Sequence, residues 1–268
     1  DDIKNDGADI IMNAKAVAVN RENNNISSVT YEKDGETVTI YADIVMSSMP
    51  VKDLVDAMSF DVPDDVKRIA DGLPYRDFVT VGLLVDTLKI KNQTDIKTLN
   101  NIVPDCWIYV QDTGVKLGRI QVFNNWSPYL VKDANHTVWI GLEYFCNEGD
   151  DFWNMSDEEC ISMAIDELVS MGVISSRANV LDSHRERVKK AYPAYFDTYD
   201  EMDKLVEYLN GFDNLYCIGR NGQHRYNNMD HSMATAFEAV DAIVNNKSDK
   251  SAVWNVNTEQ EYHEEKKN

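Results

Sequence analysis

The sequence predicts a mixed α/β chain with α+β character, and three features predict it. Residues 78–85, 107–110, 119–123 and 137–144 alternate apolar and polar side chains as half-buried strands do, and their succession reads as a mostly antiparallel sheet. Ser156, followed by Asp157, Glu158 and Glu159, caps a helix that places Cys160, Ile161, Ala164, Ile165, Leu168 and Met171 on one face, and Gly172 ends it. Residues 215–218 form a short apolar strand that meets Gly219-Arg220, and a helix starts near Asn228 and runs through Met233, Ala236, Phe237, Val240 and Ile243. The final unit is therefore strand, glycine-containing loop, helix.

The remaining elements follow the same logic. Ile10-Ile11-Met12 and residues 16–19 give an extended run, and residues 26–31 and 38–41, separated by Asp34-Gly35, read as a strand pair with a tight turn. Residues 42–49 add a buried strand that Pro50 ends, and helices are expected over 51–58 and over 64–71, just after Pro63. Residues 180–188 read as extended and 199–209 as helical, while the polar end, residues 258–268, is expected to fray.

Composition narrows the function classes. At 268 residues, 43% hydrophobic and 27% charged, the chain can bury one large core or two smaller ones, and no apolar run is long enough to span a membrane. Acidic residues outnumber basic ones 46 to 26, so nucleic acid is excluded as a partner for want of a basic face. A small-molecule partner remains. The four cysteines, Cys106, Cys146, Cys160 and Cys217, form no CxxC pair, and the five histidines show no HxxxH or HExxH spacing, so neither a disulfide framework nor a metal site is expected. A reduced, cytoplasmic setting is the expectation. The acidic cluster of Glu148, Asp150, Asp151 and residues 157–159 reads as helix N-terminal charge bias on a solvated face. The opening Asp1-Asp2-Ile3-Lys4 suggests a piece of a longer polypeptide.

The segment Gly219 to Asp230 suits an anionic or polar cofactor. Gly219 lets the backbone approach a ligand, Arg220 offers a bidentate fork to a phosphate, and the free N–H groups of the following helix add a positive dipole end. Strand–glycine–helix turns are common, so spacing alone leaves a structural role equally open.

GRNGQHRYNNMDHSM resembles the C-terminal flavin-binding segment of the FAD-dependent amine oxidase-like, or protoporphyrinogen oxidase-like, oxidoreductases, and more distantly the corresponding positions of UDP-galactopyranose mutases. GADIIMNAKAVAVN, ADIVMSSMP, YRDFVTVGLLVD, GRIQVFNNWSP, KAYPAY and WNVNTEQEYHEE are similar to successive further pieces of that family. The family's opening GxGxxG is missing from the chain. The resemblance therefore implies the C-terminal portion of a two-domain FAD-binding oxidoreductase, not expected to retain FAD or activity alone. It divides the chain into part of the FAD-binding domain (1–58), a mixed-sheet substrate domain (59–205), a C-terminal FAD-binding segment (206–246) and a tail (247–268).

Carried over by position, the resemblance implies Val17 near the adenine, Ser47, Ser48 and Met49 near the pyrophosphate, Gly219 and Arg220 beside the diphosphate and ribityl chain, and Met229 and Asp230 facing the isoalloxazine. Arg119, Trp126, Tyr144, Tyr192 and Tyr226 are candidate substrate contacts, and His224 and Lys190 candidate proton handlers. Alternation sends Arg119 and Gln121 to one face of their strand. Strand aromatics also serve as core, and Lys190 also reads as a solvated charge. The implied activity is hydride transfer from a carbon next to nitrogen, or from a ring being desaturated, to FAD. The alternatives are a mutase-like flavin-dependent isomerase, whose diphosphate clamp would draw on Arg119, Arg225 and Tyr226, and an inactive scaffold fragment. The sequence selects no oligomeric state.

Overall fold

A computed structural model of the chain describes residues 2–111 and 114–257. In chain order the elements begin with α1 (Asp2–Asn5), β1 (Lys15–Glu22), β2 (Asn25–Lys33), β3 (Glu36–Tyr41), β4 (Val45–Ser47), α2 (Val51–Asp56) and α3 (Asp64–Gly72). There follow β5 (Tyr75–Val85), β6 (Trp107–Tyr109), β7 (Arg119–Val122), α4 (Phe123–Trp126), β8 (Val138–Cys146), α5 (Asp151–Asn154), α6 (Asp157–Ser170) and β9 (Val180–Pro193). The last group is α7 (Met202–Asn210), β10 (Leu215–Cys217), α8 (Gly219–Gly222), α9 (Met229–Val244) and α10 (Ser251–Trp254). Two compact units divide the chain, one from residues 1–75 and 192–268, the other from residues 76–191. The fraying expected of residues 258–268 lies outside the described residues.

The continuous unit is built on a five-stranded sheet of order β6-β7-β8-β5-β9, in which β5–β8, β6–β7 and β7–β8 pair antiparallel, the sense expected of this succession of strands. Side chains two apart share a sheet face. Val79, Val81, Leu83 and Val85 of β5 and Ile140, Leu142 and Tyr144 of β8 thus enter one core with Cys160, Ala164, Ile165 and Leu168 of α6. Ser156 and Glu159 form the capping box of α6, each side chain serving the other's backbone N–H. After α6, Gly172 takes a φ of 74°.

The discontinuous unit holds a three-stranded antiparallel meander, β1-β2-β3, and a parallel pair, β10-β4. The extended run expected over 16–19 is β1, and the expected strand pair is β2 and β3. The meander's second turn is Asp34-Gly35, both at positive φ (53° and 82°), the left-handed geometry that matches strand twist. Ile10-Ile11-Met12 falls outside the strand: the three residues are exposed and lack regular structure, and no strand pairs with them among the described residues. The strand expected over 42–49 shortens to Val45–Ser47 and is parallel, a sense that alternation cannot reveal. Val45, Leu215 and Cys217 face a core with Leu54, Val55, Val66, Ile69, Leu205 and Leu209, while Met46, Tyr216 and Ile218 face Ala239, Ala242 and Val253. Helices therefore cover both faces of the pair, as in α/β layering.

Helix α9 differs from its sequence pattern. Its buried residues are Thr235, Ala239 and Ala242, whereas Met229, Met233, Phe237, Val240 and Val244 are exposed. Small side chains bring it close to the sheet. The large ones face outward.

Candidate functional site

β10 delivers the chain to Gly219, whose φ of 73° belongs to the left-handed region that glycine adopts at little cost. Its N–H donates to Thr235 Oγ1 of α9 at 2.8 Å, fixing the loop to the helix. A Cβ on Gly222 would lie 2.6 Å from the Ser47 carbonyl oxygen and 3.3 Å from Ser48 Cα, so the one-turn helix α8 and the end of β4 touch backbone to backbone. A Cβ on Gly219 would meet Ser48 Cβ and Ser232 Cβ at 3.9 Å. Ser48 and Gly219, predicted 171 positions apart to serve one site, are neighbours. Ser48 is exposed and Met49 half-buried just beyond it.

Arg220 lies over two tyrosine rings. Its Cζ is 4.9 Å from the centroid of Tyr192 and 4.4 Å from that of Tyr226, and these rings stack at 5.7 Å and 14°. Nη1 donates to the Asn227 carbonyl at 3.3 Å, while Nε and Nη2 are buried with no hydrogen-bond partner among the described residues. Asn221 Oδ1 and Ser47 Oγ are orphaned in the same way. Buried polar atoms are rarely left unanswered, and their gathering around one loop points to a ligand. Met229 and Asp230 open α9, both exposed, with Asp230 favourably placed at the positive end of the helix dipole.

Buried amides that the sequence reading missed hold this loop. Gln223 donates from Nε2 to the carbonyls of Cys217 (3.2 Å) and Val253 (2.7 Å), and its Oε1 accepts from Asn227 Nδ2 at 3.4 Å. Asn257 continues the chain to Asn227 Oδ1 (3.1 Å) and to the Tyr226 carbonyl (3.2 Å). The available signal was GRNGQHRYNN itself: four amides within ten residues exceed what a solvated turn requires.

His224 is fully buried, with its ring edge-on to Tyr75 at 4.6 Å and tilted against Tyr199 at 5.9 Å. Nε2 lies 3.1 Å from the Ala194 carbonyl, an acceptor only, so the proton sits on Nε2. Burial lowers its pKa to about 4 despite that carbonyl, which keeps the ring neutral near pH 7. The histidine thus packs under the loop, shut off from solvent.

The other candidates lie elsewhere. Val17 stands on β1, in the meander rather than on the parallel pair. Lys190 belongs to the continuous unit, at a φ of 52°, and its N–H donates to Asp77 Oδ1 at 2.6 Å. Arg119, also in that unit and 2% exposed, pairs through Nε with Glu143 Oε2 at 3.0 Å, and Gln121 from the same face of β7 donates to the same carboxylate. The guanidinium is ringed by Phe145 (4.6 Å), Trp107 (5.0 Å) and Tyr109 (5.7 Å), with half-exposed Trp126 edge-on to Trp107. Tyr144 projects from the opposite face of β8 into the core, where its hydroxyl donates to Glu167 Oε2 at 3.0 Å. Burial, reinforced by the Glu167 charge, raises its pKa. The structure thus gathers Ser48, Met49, Gly219, Arg220, Tyr192 and Tyr226 in one unit and brings Arg119 together with Trp107 and Trp126 in the other. No described helix is long and apolar enough to cross a membrane.

No protein-family model matches the sequence. Among solved structures, the chain is similar to a reduced UDP-galactopyranose mutase, with a TM-score of 0.68 and 20% identity over 90% of this chain and 49% of that one. It is also similar to a putrescine oxidase variant redesigned at its cofactor site (TM-score 0.59, 14% identity, 90% of this chain and 51% of that one). A candidate protoporphyrinogen oxidase from Exiguobacterium gives 0.53 and 15% over 78% and 42%. The chain spans about half the length of these proteins or less, and over that span it shares their fold.

Proposed function

We propose that this chain supplies one wall of an FAD site in a flavin-dependent oxidoreductase, with Ser48, Met49, Gly219, Arg220, Met229 and Asp230 along it and Val17 at its adenine end. The observation that carries the reading is Arg220, with two buried nitrogens lacking acceptors beside the Gly219 turn and Ser48. Buried guanidinium N–H groups without acceptors are costly, and a diphosphate has the oxygens to satisfy those of Nε and Nη2. The residues present fit the group.

When bound, FAD supplies two-electron redox capacity, taking up a hydride equivalent from substrate. The chain's residues bind and orient. Gly219 and Gly222 leave room for a ligand to approach backbone, Arg220 clamps an anion, and the first-turn N–H groups of α9 favour negative charge at the site. His224, neutral and buried, is a positioning residue that holds the loop through Ala194. Tyr192 and Tyr226 are the candidate substrate contacts that lie against Arg220. A carbon next to nitrogen is the proposed hydride source.

A second reading, a flavin-dependent isomerase, is favoured by the higher TM-score to the mutase, 0.68 against 0.59 for putrescine oxidase. It asks Arg119 and Arg225 to clamp a diphosphate, yet Glu143 already faces Arg119 and the Asn257 carbonyl already accepts from Arg225. Oxidoreduction is therefore preferred.

The test is FAD titration of the protein at its natural length, followed by flavin absorbance. Arg220→Ala should weaken FAD about tenfold to a hundredfold, from the roughly 1.5–3 kcal/mol carried by hydrogen bonds to a charged group, and Arg220→Lys should weaken it less. No uptake by the wild type, or equal uptake by Arg220→Ala, would sink the reading and leave a scaffold fragment. Bleaching by amines then separates oxidase from mutase, because isomerisation of a UDP-sugar only by dithionite-reduced protein would select the second reading.

A further inference from the structure

The loop of residues 219–227 is clasped by a short segment of its own unit, residues 192–195, at and just past the end of β9. The Ala194 carbonyl accepts from His224 Nε2 at 3.1 Å, and the Tyr195 hydroxyl accepts from Tyr226 N–H at 2.6 Å. The Tyr192 ring stacks on that of Tyr226, with the Arg220 guanidinium over both. The seat of Arg220 is therefore made by the two sides of the clasp together. His224 is the member of the clasp whose charge can change near neutral pH.

The pocket around His224 suits a neutral ring alone. Tyr75, at the start of β5, and Tyr199, in the turn Asp197–Glu201, pack on the ring, and Nδ1 is buried with no hydrogen-bond partner among the described residues. Burial raises both tyrosine hydroxyls, so neither supplies a negative charge. The charged groups nearby act on those tyrosines, Asp53 on Tyr75, and Arg225 and Asp203 on Tyr199, whereas burial and the Ala194 carbonyl are what act on His224. A proton on Nδ1 would add a second buried N–H without an acceptor and a cation without a counter-charge. The backbone of His224 also stands at a φ of 48°, in the left-handed region, so the catch holds it in a strained conformation that opening relieves.

We propose that the His224–Ala194 hydrogen bond is an acid-released catch: a proton taken up by His224 opens the clasp between residues 219–227 and 192–195, unseats Arg220 and weakens the loop's hold on its anion. The identity of that anion rests on the FAD reading above, whereas the opening of the clasp rests on its geometry. Proton and anion then oppose each other reciprocally, since the loop that binds the anion is the loop that keeps the ring neutral. The sign follows from the two forms. The closed loop binds a proton poorly and the open loop normally, so the hold is full above the ordinary histidine range and weakens as pH falls through it, by no more than about tenfold per pH unit for one proton. A diphosphate diester does not titrate in this window, which leaves the protein as the source of the effect.

Amide exchange, corrected for its intrinsic pH dependence, is followed in the ligand-free protein at its natural length at pH 7.5 and 5.0, and FAD affinity is read from flavin fluorescence at both. Protection of the Tyr226 N–H should fall about tenfold or more at pH 5.0, and FAD should bind about fivefold or more weakly. Protection of the Val19 N–H, which donates to the Ala57 carbonyl in the same unit, should hold. His224→Gln, whose amide can donate to Ala194 without titrating, should flatten both responses. Ring nitrogen shifts of wild-type His224 tie the loosening to this side chain without a substitution: neutral with Nε2 protonated at pH 7.5, imidazolium at pH 5.0. Equal Tyr226 protection at the two pH values, a ring still neutral while Tyr226 loosens, loss of Val19 protection alongside it, or an unchanged response in His224→Gln would each overturn the catch. No FAD uptake at pH 7.5, with Tyr226 still loosening at pH 5.0, would refute the FAD reading and uphold the catch.

Discussion

Alanine at Gly222 places a methyl carbon 2.6 Å from the Ser47 carbonyl oxygen and 3.3 Å from Ser48 Cα. Carbon and oxygen rest at roughly 3.3 Å or more, so backbone must move by about 0.7 Å, and overpacking of this kind costs roughly 1–3 kcal/mol. Both colliding atoms are backbone, which leaves no side chain to rotate aside. The displaced carbonyl is the one that accepts from Ile218 N–H, so the β4–β10 pairing should loosen with it. Gly219→Ala is the control: its Cβ has ordinary 3.9 Å contacts, and its cost is conformational, about 1–2 kcal/mol at a φ of 73°. Urea unfolding followed by circular dichroism, with amide exchange at Ile218, separates the two. Gly222→Ala should lose about 2 kcal/mol and speed Ile218 exchange at least tenfold beyond the loss of global stability, whereas Gly219→Ala should leave Ile218 at the global rate. A Gly222→Ala protein within about 0.5 kcal/mol of wild type, with unaltered Ile218 exchange, would refute the claim of backbone contact.

Three further outcomes follow from the packing. His224, with a folded pKa of about 4 against an unfolded value near 6.5, contributes stability that is present above pH 6.5 and is lost as pH falls toward 4, by about 3 kcal/mol; urea titrations of wild type and His224→Gln should diverge in slope over that window and run parallel above it. Glu143→Gln removes the carboxylate facing buried Arg119 and should cost about 3 kcal/mol, much of it recovered by pairing Glu143→Leu with Arg119→Met; a double variant no more stable than the single one would argue against a charge effect. Thr235→Val, nearly isosteric, strips the acceptor from Gly219 N–H and should cost about 1–3 kcal/mol in thermal or urea unfolding, whereas Thr235→Ser should cost less.

Element type was legible where side chains alternate or cap: β5, β7, β8 and the N-terminus of α6 fall, within a few residues at their ends, where residues 78–85, 119–123, 137–144 and Ser156 pointed. Strand sense was not, because Val45-Met46-Ser47 reads the same in parallel or antiparallel pairing. The facing of α9 was also hidden, since a moment built on large side chains selects Met233 and Phe237 while close helix–sheet approach selects Thr235, Ala239 and Ala242. In the site, Ser48 beside Gly219 follows from the resemblance of two distant motifs, but the Gln223–Asn227–Asn257 chain depends on which amides become buried. Alternation separated Arg119 from Tyr144 in principle. Cross-strand register, Arg119 opposite Glu143, was needed to put the two on opposite faces.

The parallel pair also sets a timetable for synthesis. β4 ends at Ser47 and its partner begins at Leu215, with the whole continuous unit between them, so β4 leaves the ribosome long before β10 exists. At roughly 5–20 residues per second the wait is on the order of 10–30 s. The continuous unit has its own sheet and helix core and can fold within that interval, whereas the discontinuous unit closes last, across a long loop whose entropy must be overcome first. A pause or a misfolded strand anywhere between residues 76 and 191 therefore prolongs the exposure of β4, and refolding in vitro should show its slow phase in probes of residues 45–47 and 215–217.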